Sequence, residues 1–331
     1  MSQEPAAPPT VLIIAGPTAS GKSSLALHLA ERFAGEIVNC DSLQLYRGFD
    51  IGTAKPSLAD RRRVPHHLFD TLGPTLDPEA QFSAGEYARR GRAVLAEITA
   101  RNRLPIVVGG TGFYLRALVD GLFAGPSRHP ELRQRLHGRE AAKGPGYAHR
   151  ILSRLDPASA ARIHPNDLPK VIRAVEVCLL ARGRMSELFR QGREPLAGYT
   201  VRKAGLNPPR AELQERINGR TQAMFDQGLV REVSGLLERG CPAGAPPLQS
   251  VGYRQALDYL LGNISLRDAV RYAQAATRQY AKRQMTWFRK ESGMQWFAGF
   301  GDHASIQSEV SRWLEGPEGD DAGSLRTKGP V

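Results

Sequence analysis

Residues 16–24 read GPTASGKSS, and within them Gly16, Gly21, Lys22 and Ser23 satisfy the spacing G-x-x-x-x-G-K-[ST]. That spacing suits phosphate binding. The glycines allow backbone N–H groups of the loop, including those of Pro17's neighbours Thr18, Ala19 and Ser20, to converge on phosphate oxygens. Lys22 supplies a neutralising cation, the following helix N-terminus adds partial positive charge, and the Ser23 hydroxyl is a candidate ligand for Mg2+. A glycine-rich turn that merely joined two elements would not require the lysine and the serine in those places.

Such a loop by itself points to ATP or GTP and to a kinase or NTPase. Those enzymes use an acid at the end of another apolar strand to help hold magnesium, yet the apolar run LPIVVGG (104–110) ends without one. An acid does follow the run EIVNC, namely Asp41. Three roles are open to it: a magnesium partner on a different strand, a base facing substrate, or the cap of a following helix. Arg216 and Arg220 stand one helical turn apart in ERINGR and could serve a phosphate group, an RNA or only solvent. His66 and His67 are adjacent, so on a regular element they diverge and make no two-ligand metal site; Arg61, Arg62 and Arg63 read as surface.

These residues need elements to place them. VLIIAG (11–16), a loop and KSSLALHLAERF, with Leu25, Leu29 and Phe33 at helical spacing, predict strand, loop, helix. EIVNCDS, expected to end at Asp41, and LPIVVGG predict two more strands, with a helix opened by Ser83 and Glu86 between them. Strands alternating with helices imply an α/β fold, a parallel sheet flanked by helices with ligands beyond the carboxyl ends of its strands. From 122 to 200 the strand signals give way to short helices separated by Pro and Gly, a helical insertion. YTVRKAGLNP predicts a further strand, followed by helical stretches at 210–240 and 265–290. The expected organisation is a disordered leader (1–10), a phosphate-loop core (11–121), the insertion (122–200), a return to the core with a basic helical region (201–300), and a C-terminal segment (301–331) whose end is too polar to pack.

Composition narrows the function classes. The 331 residues are 41% apolar and 24% charged, ordinary for a globular protein, and no apolar run is long enough to span a bilayer. Cys40, Cys178 and Cys241 are far apart, which suggests neither a disulfide framework nor a zinc site and fits a reducing cytoplasm. The net charge of +12 favours a polyanionic partner. That charge lies late: Arg271, Arg278, Lys282, Arg283, Arg289 and Lys290 fall within 270–290 with no acid among them. At ~100° per residue Arg271, Arg278, Lys282 and Arg289 lie within about 20° of one line on a helix. Like charges so aligned are relieved by a long anion such as RNA, whereas the nearby Tyr280, Trp287 and Phe288 read more readily as core than as base-stacking platforms.

The motifs GPTASGKSSLA, DSLQLYRGFDIGTAKP, VPHHLFD, PIVVGGTGFYLRAL, IHPNDLPKVIRAVEV, SVGYRQAL and TRQYAKRQMTWFRK stand here in an order that resembles the tRNA dimethylallyltransferases, also called tRNA isopentenyltransferases. The resemblance spans about residues 11–297. It implies a P-loop NTPase-like fold in which the loop holds the diphosphate of dimethylallyl diphosphate instead of a nucleotide tail. The implied reaction moves a dimethylallyl group to N6 of the adenosine 3′ of the anticodon, position 37 of tRNAs reading codons that begin with U, with Mg2+ assisting. By the same resemblance Asp41 is the general base, Thr18 and Thr111 contact diphosphate or target nucleotide, and Ser42, Leu43 and Gln44 line the base pocket. RNA contacts are expected from Pro169, Lys170, Val171, Ile172 and Arg173. They are also expected from Gln249, Ser250, Val251, Gly252, Tyr253 and Arg254, and from Lys282, Arg283, Gln284, Met285, Thr286, Trp287, Phe288 and Arg289. Arg216 is assigned to the diphosphate. Many relatives carry a smaller residue at the position of Leu43, which reshapes the base pocket here. A monomer without a protein partner is expected. A small-molecule kinase or NTPase, and an RNA-binding protein with a nucleotide switch, are the competing readings.

Overall fold

A computed structural model describes residues 7–73 and 82–316. The expected disordered ends lie largely outside these residues; within them, the first strand already begins at Thr10, where Thr200 donates its N–H to the Pro9 carbonyl.

The chain forms β1 (Thr10–Ala15), α1 (Lys22–Arg32), β2 (Gly35–Asn39), α2 (Leu58–Arg63), β3 (His66–His67), α3 (Ala84–Ala100), β4 (Leu104–Val108) and α4 (Gly112–Val119). Five helices follow: α5 (Pro130–Lys143), α6 (Tyr147–Leu155), α7 (Pro157–Arg162), α8 (Leu168–Ala181) and α9 (Met185–Arg190). The chain then returns through β5 (Thr200–Leu206), α10 (Arg210–Asp226), α11 (Leu229–Glu238), α12 (Tyr253–Leu260), α13 (Leu266–Phe288), β6 (Met294–Phe297) and α14 (Ala304–Glu315). The described residues fall into two compact units, one drawn from Met1–Leu115 and Ala197–Val331, the other from Arg116–Leu196. The helical insertion therefore starts inside the helix after β4.

The sheet runs β3-β2-β4-β1-β5-β6 and every pairing is parallel. Central strands buried on both faces call for unbroken apolar runs, and Val11 to Ala15 and Ile106 to Val108 provide them. Leu25, Ala26 and Leu29 of α1 pack with Leu12, Ile14, Ile37 and Ile106 on one face of the sheet. Each such leucine or isoleucine contributes about 1.5–3 kcal/mol by leaving water. That core holds the loop after β1 against the carboxyl ends of β2 and β4.

Several boundaries depart from the sequence expectation. The second strand stops at Asn39, so Cys40 and Asp41 lie beyond the sheet, where Cys40 donates its N–H to Val108 O at 2.7 Å. The two-residue β3 and the four-residue β6 were not foreseen; neither is long enough to display an alternation. The 210–240 stretch breaks at Gly228, whose φ of 105° ends α10 and opens α11. In the second unit, α8 buries Val171, Ile172, Val175 and Cys178 against α5 and α6, as its apolar face requires. No helix among the described residues is long and apolar enough to cross a membrane.

Candidate active site

The phosphate loop departs from β1 and closes at Gly21, whose φ of 83° a side chain would strain, immediately before α1 begins at Lys22. Lys22 Nζ donates to Pro17 O at 2.7 Å, inside the loop. Ser23 is exposed in the first turn of α1. The loop borders a cavity of about 650 Å³ whose lining includes Thr18, Lys22, Ser23, Asp41, Gln44 and Arg220. Gly16 and Pro17 are buried beneath it, while Ala19, Ser20 and Gly21 also reach its wall.

Asp41 is fixed by its own neighbours. The fully buried Asn39 accepts the Asp41 N–H at Oδ1 (2.8 Å) and donates from Nδ2 to Asp41 O (3.0 Å) and Leu68 O (2.9 Å). Asp41 Oδ1 in turn accepts the Leu43 N–H at 2.9 Å. No helix follows Asp41 directly, so it caps none; the next helix, α2, is capped by Ser57, and the Asp41 carboxylate instead closes a local turn. From β4's end, Thr111 Oγ1 accepts the Ser42 N–H at 3.0 Å and donates to Ser42 Oγ at 3.3 Å. The loop can approach this closely because Gly109 lacks a side chain: a Cβ there would stand 2.1 Å from Cys40 O.

Gln284 and Arg220 complete the enclosure. Gln284 on α13 is buried, accepts the Thr18 N–H at 2.8 Å and donates to Gly110 O at 3.0 Å, so it ties the phosphate loop to the β4 loop. Arg220 on α10 donates to Thr18 Oγ1. Arg216, one turn earlier, is engaged by Asp302 through two bonds of 2.8 and 2.6 Å and lies over the Phe300 ring. Both arginines border the cavity, and Arg220 is the one bonded to the phosphate loop, while Arg216 is held by Asp302 at the cavity's edge. Their shared helical face was legible; Asp302's claim on one of them was not.

Positive charge is only partly neutralised here. Burial lowers Lys22 to about 7, with Arg220 adding repulsion and Asp41 opposing it. Burial likewise lowers Arg220 to about 10. Asp41 is raised by burial, against the Leu43 N–H and the Lys22 charge. Two desolvated cations face one carboxylate, an arrangement that a bound anion stabilises.

The structure also sorts the expected nucleic-acid contacts. Pro169 and Lys170 are exposed, Arg173 is half-buried and bonded to Glu176 and to Pro126 O, and Val171 and Ile172 are core. Gln249 and Arg254 are exposed and Ser250 and Val251 partly so, whereas Gly252 and Tyr253 are buried. Tyr253 packs on Phe49 and donates its hydroxyl to Glu232, so its side chain supports the core. On α13, Lys282, Arg283, Thr286 and Arg289 are exposed, Met285 and Trp287 half-buried, and Gln284 and Phe288 buried. Gln284 is buried in its bonds to Thr18 and Gly110, and Phe288 lies in the core. Arg278 is directed to Asn218 on α10, which interrupts the basic stripe.

The oxygen donors suit Mg2+ only in part. Among the described residues no group of three or more acidic, His or Cys side chains could hold a metal. Ser23 and Asp41, which both line the cavity, fit a cation that is held chiefly by substrate phosphate oxygens and water.

Comparison with known proteins places these observations beside others. A family model described as IPP transferase matches residues 44–291. The tRNA dimethylallyltransferase of Koribacter versatilis (strain Ellin345) is 57% identical over 307 residues, which cover 93% of this chain and 98% of that protein. That of Solibacter usitatus (strain Ellin6076) is 56% identical, covering 90% and 95%. Among solved structures, the tRNA isopentenylpyrophosphate transferase from Bacillus halodurans superposes with a TM-score of 0.67 at 35% identity, covering 92% of this chain and 95% of that one. A eukaryotic dimethylallyltransferase acting on tRNA gives 0.74 at 27% identity, covering 92% and 75%.

Proposed function

The chain belongs to the IPP transferase family, and from that premise we propose that it transfers a dimethylallyl group from dimethylallyl diphosphate to N6 of adenosine 37 in tRNAs reading codons that begin with U. The observation that carries this reading is the enclosure itself: Lys22 of the phosphate loop, Arg220 and Asp41 line one cavity.

An allylic C–O bond breaks when charge on the departing diphosphate is stabilised. The loop N–H groups, Lys22 and Arg220 supply that stabilisation, and they are already in place before the bond stretches. Mg2+, held at Ser23 when bound, would supply further neutralisation of the diphosphate. The amine of adenine is a weak nucleophile because its lone pair is delocalised into the ring. Asp41 offers a carboxylate that orients the N6–H and accepts its proton as the new C–N bond forms, an effect of ~10²–10⁴-fold. Diphosphate leaves, and the proton is carried by Asp41. The target base must be extruded to enter the cavity, at a cost of a few kcal/mol that contacts from Ser42, Leu43 and Gln44 offset. The basic composition supports a polyanionic acceptor, and we place the reaction in the cytoplasm with the protein acting as a monomer.

Nucleoside mass spectrometry of an unmodified tRNA bearing A36-A37-A38, incubated with protein, Mg2+ and dimethylallyl diphosphate, tests the reading. A C5H8 gain on adenosine that requires the allyl donor and falls by ~10²–10⁴-fold in Asp41→Asn is expected. Consumption of ATP with no gain on adenosine would overturn it in favour of a kinase or NTPase.

A further inference from the structure

Away from the phosphate loop, one carboxylate gathers four donors. Glu232 on α11 accepts at Oε2 the N–H groups of Ile51 (2.8 Å) and Asp50 (3.1 Å), and at Oε1 the Tyr253 hydroxyl (2.6 Å) and the Gly52 N–H (3.5 Å). Segment 50–52 is therefore fixed by α11 and α12 together. Tyr253 is fully buried, with its ring so close under Gly52 that a Cβ there would lie 2.4 Å from Cε2. The far end of the segment is anchored by Lys55, whose buried Nζ donates to Tyr46 O at 2.8 Å and pairs with Asp50 and Asp70 at 2.7 Å each.

Between these anchors stand Thr53 and Ala54, and their carbonyls accept the side-chain amide of Gln44 at 3.0 and 3.4 Å. Two carbonyl oxygens can be met only by the NH2 end of that amide. The acceptor end, Oε1, is thus the part of Gln44 that remains for a ligand in the cavity, which Gln44, Thr53, Ala54 and Asp41 all line. An oxygen presented there favours a base edge carrying an exocyclic amine and opposes one carrying a keto oxygen at the same place.

We infer that Glu232, together with Tyr253, is a positioning residue for acceptor recognition: by clamping segment 50–52 it fixes the carbonyls that hold Gln44 with Oε1 toward the amino edge of the base. The inference rests on the prenyl-transfer reading above. It assigns Glu232 no contact with either substrate. Loss of the clamp frees the Gln44 amide to turn, which weakens use of the RNA while leaving the phosphate loop unaltered.

The test is a double-mutant cycle on the full chain, with an anticodon stem-loop and dimethylallyl diphosphate as probes. Glu232→Ala is expected to lower kcat/KM for the RNA about tenfold with KM for the donor within about twofold, and to cost less than about twofold once Gln44→Ala is already present. Glu232→Gln, which keeps one acceptor oxygen, should restore part of the loss. Thermal unfolding of each variant reports folding, and Tyr253→Phe removes a single donor while keeping the buried ring if Glu232→Ala does not fold. Additive losses, an equal rise in both KM values, or wild-type rates in Glu232→Ala and Tyr253→Phe would overturn the clamp. Absence of transfer by the unsubstituted protein would instead overturn the functional reading on which it rests.

Discussion

The three charges of the site bear on one another through burial. In the proposed reaction Asp41 must be ionised to accept a proton, and its raised pKa would move the onset of activity above the ordinary carboxylate range of about 4. Lys22 must be protonated to meet a diphosphate, and its value of about 7 means that the free protein loses this cation as pH rises through neutrality. Both signs lead to a bell-shaped dependence of kcat/KM for the allyl donor, with an acid limb above pH 4 and an alkaline limb near 7. His66 also borders the cavity, and burial lowers its imidazole from the usual value, which makes it the second group to be tested on the acid side. Stopped-time assays from pH 5 to 9 on the wild type and on His66→Gln separate the two groups. Both limbs should persist in the variant; an acid limb that disappears with the imidazole would transfer that role from Asp41 to His66.

At the scale of elements, the decisive contact is the approach of the β4 loop to the end of β2. Gly109 permits it, and Gly109→Ala would force a methyl against the Cys40 carbonyl, one residue before Asp41. Overpacking of this kind costs about 1–3 kcal/mol. The apparent Tm should fall, and prenyl transfer should fall further than Tm alone explains because Asp41 is displaced; an active, unshifted Gly109→Ala protein would show that the two strand ends can part without harm. The sequence made this region partly legible. An apolar run ending at glycine, followed by Lys22 and Ser23, marks a phosphate loop through types that only phosphate chemistry requires, and the alternation of strands with helices led to a parallel sheet. The burial of Gln284 and Tyr253 was not legible for a physical reason: a polar or aromatic residue within a basic motif looks the same in sequence whether it faces solvent or the interior. Arg220 and Glu232 depend on partners far along the chain, Thr18 and Asp50 to Gly52, so only the folded arrangement reveals their bonds.

For the whole molecule, the net charge of +12 sets a general attraction to RNA, but placement decides which cations count. Arg271 pairs with Asp268 and Arg278 is directed to Asn218, whereas Lys282 and Arg289 are exposed on the same helix. The stripe legible in the sequence is therefore shorter in the folded protein, and its effective end is the one nearest Gln284 and the site wall. Each phosphate neutralised by such a cation contributes ~0.7–0.9 to the slope of log K against log salt. Replacing Lys282 and Arg289 together with Gln should reduce the measured slope for a tRNA by ~1.4–1.8 if each meets one phosphate, with KM for the allyl donor unchanged. Arg271→Gln, which breaks an ion pair already formed within the protein, should leave the slope close to that of the wild type. Fluorescence anisotropy with labelled tRNA across a salt series measures all three, and equal slopes throughout would mean that the RNA lies on another face and that the basic end of α13 serves solubility alone.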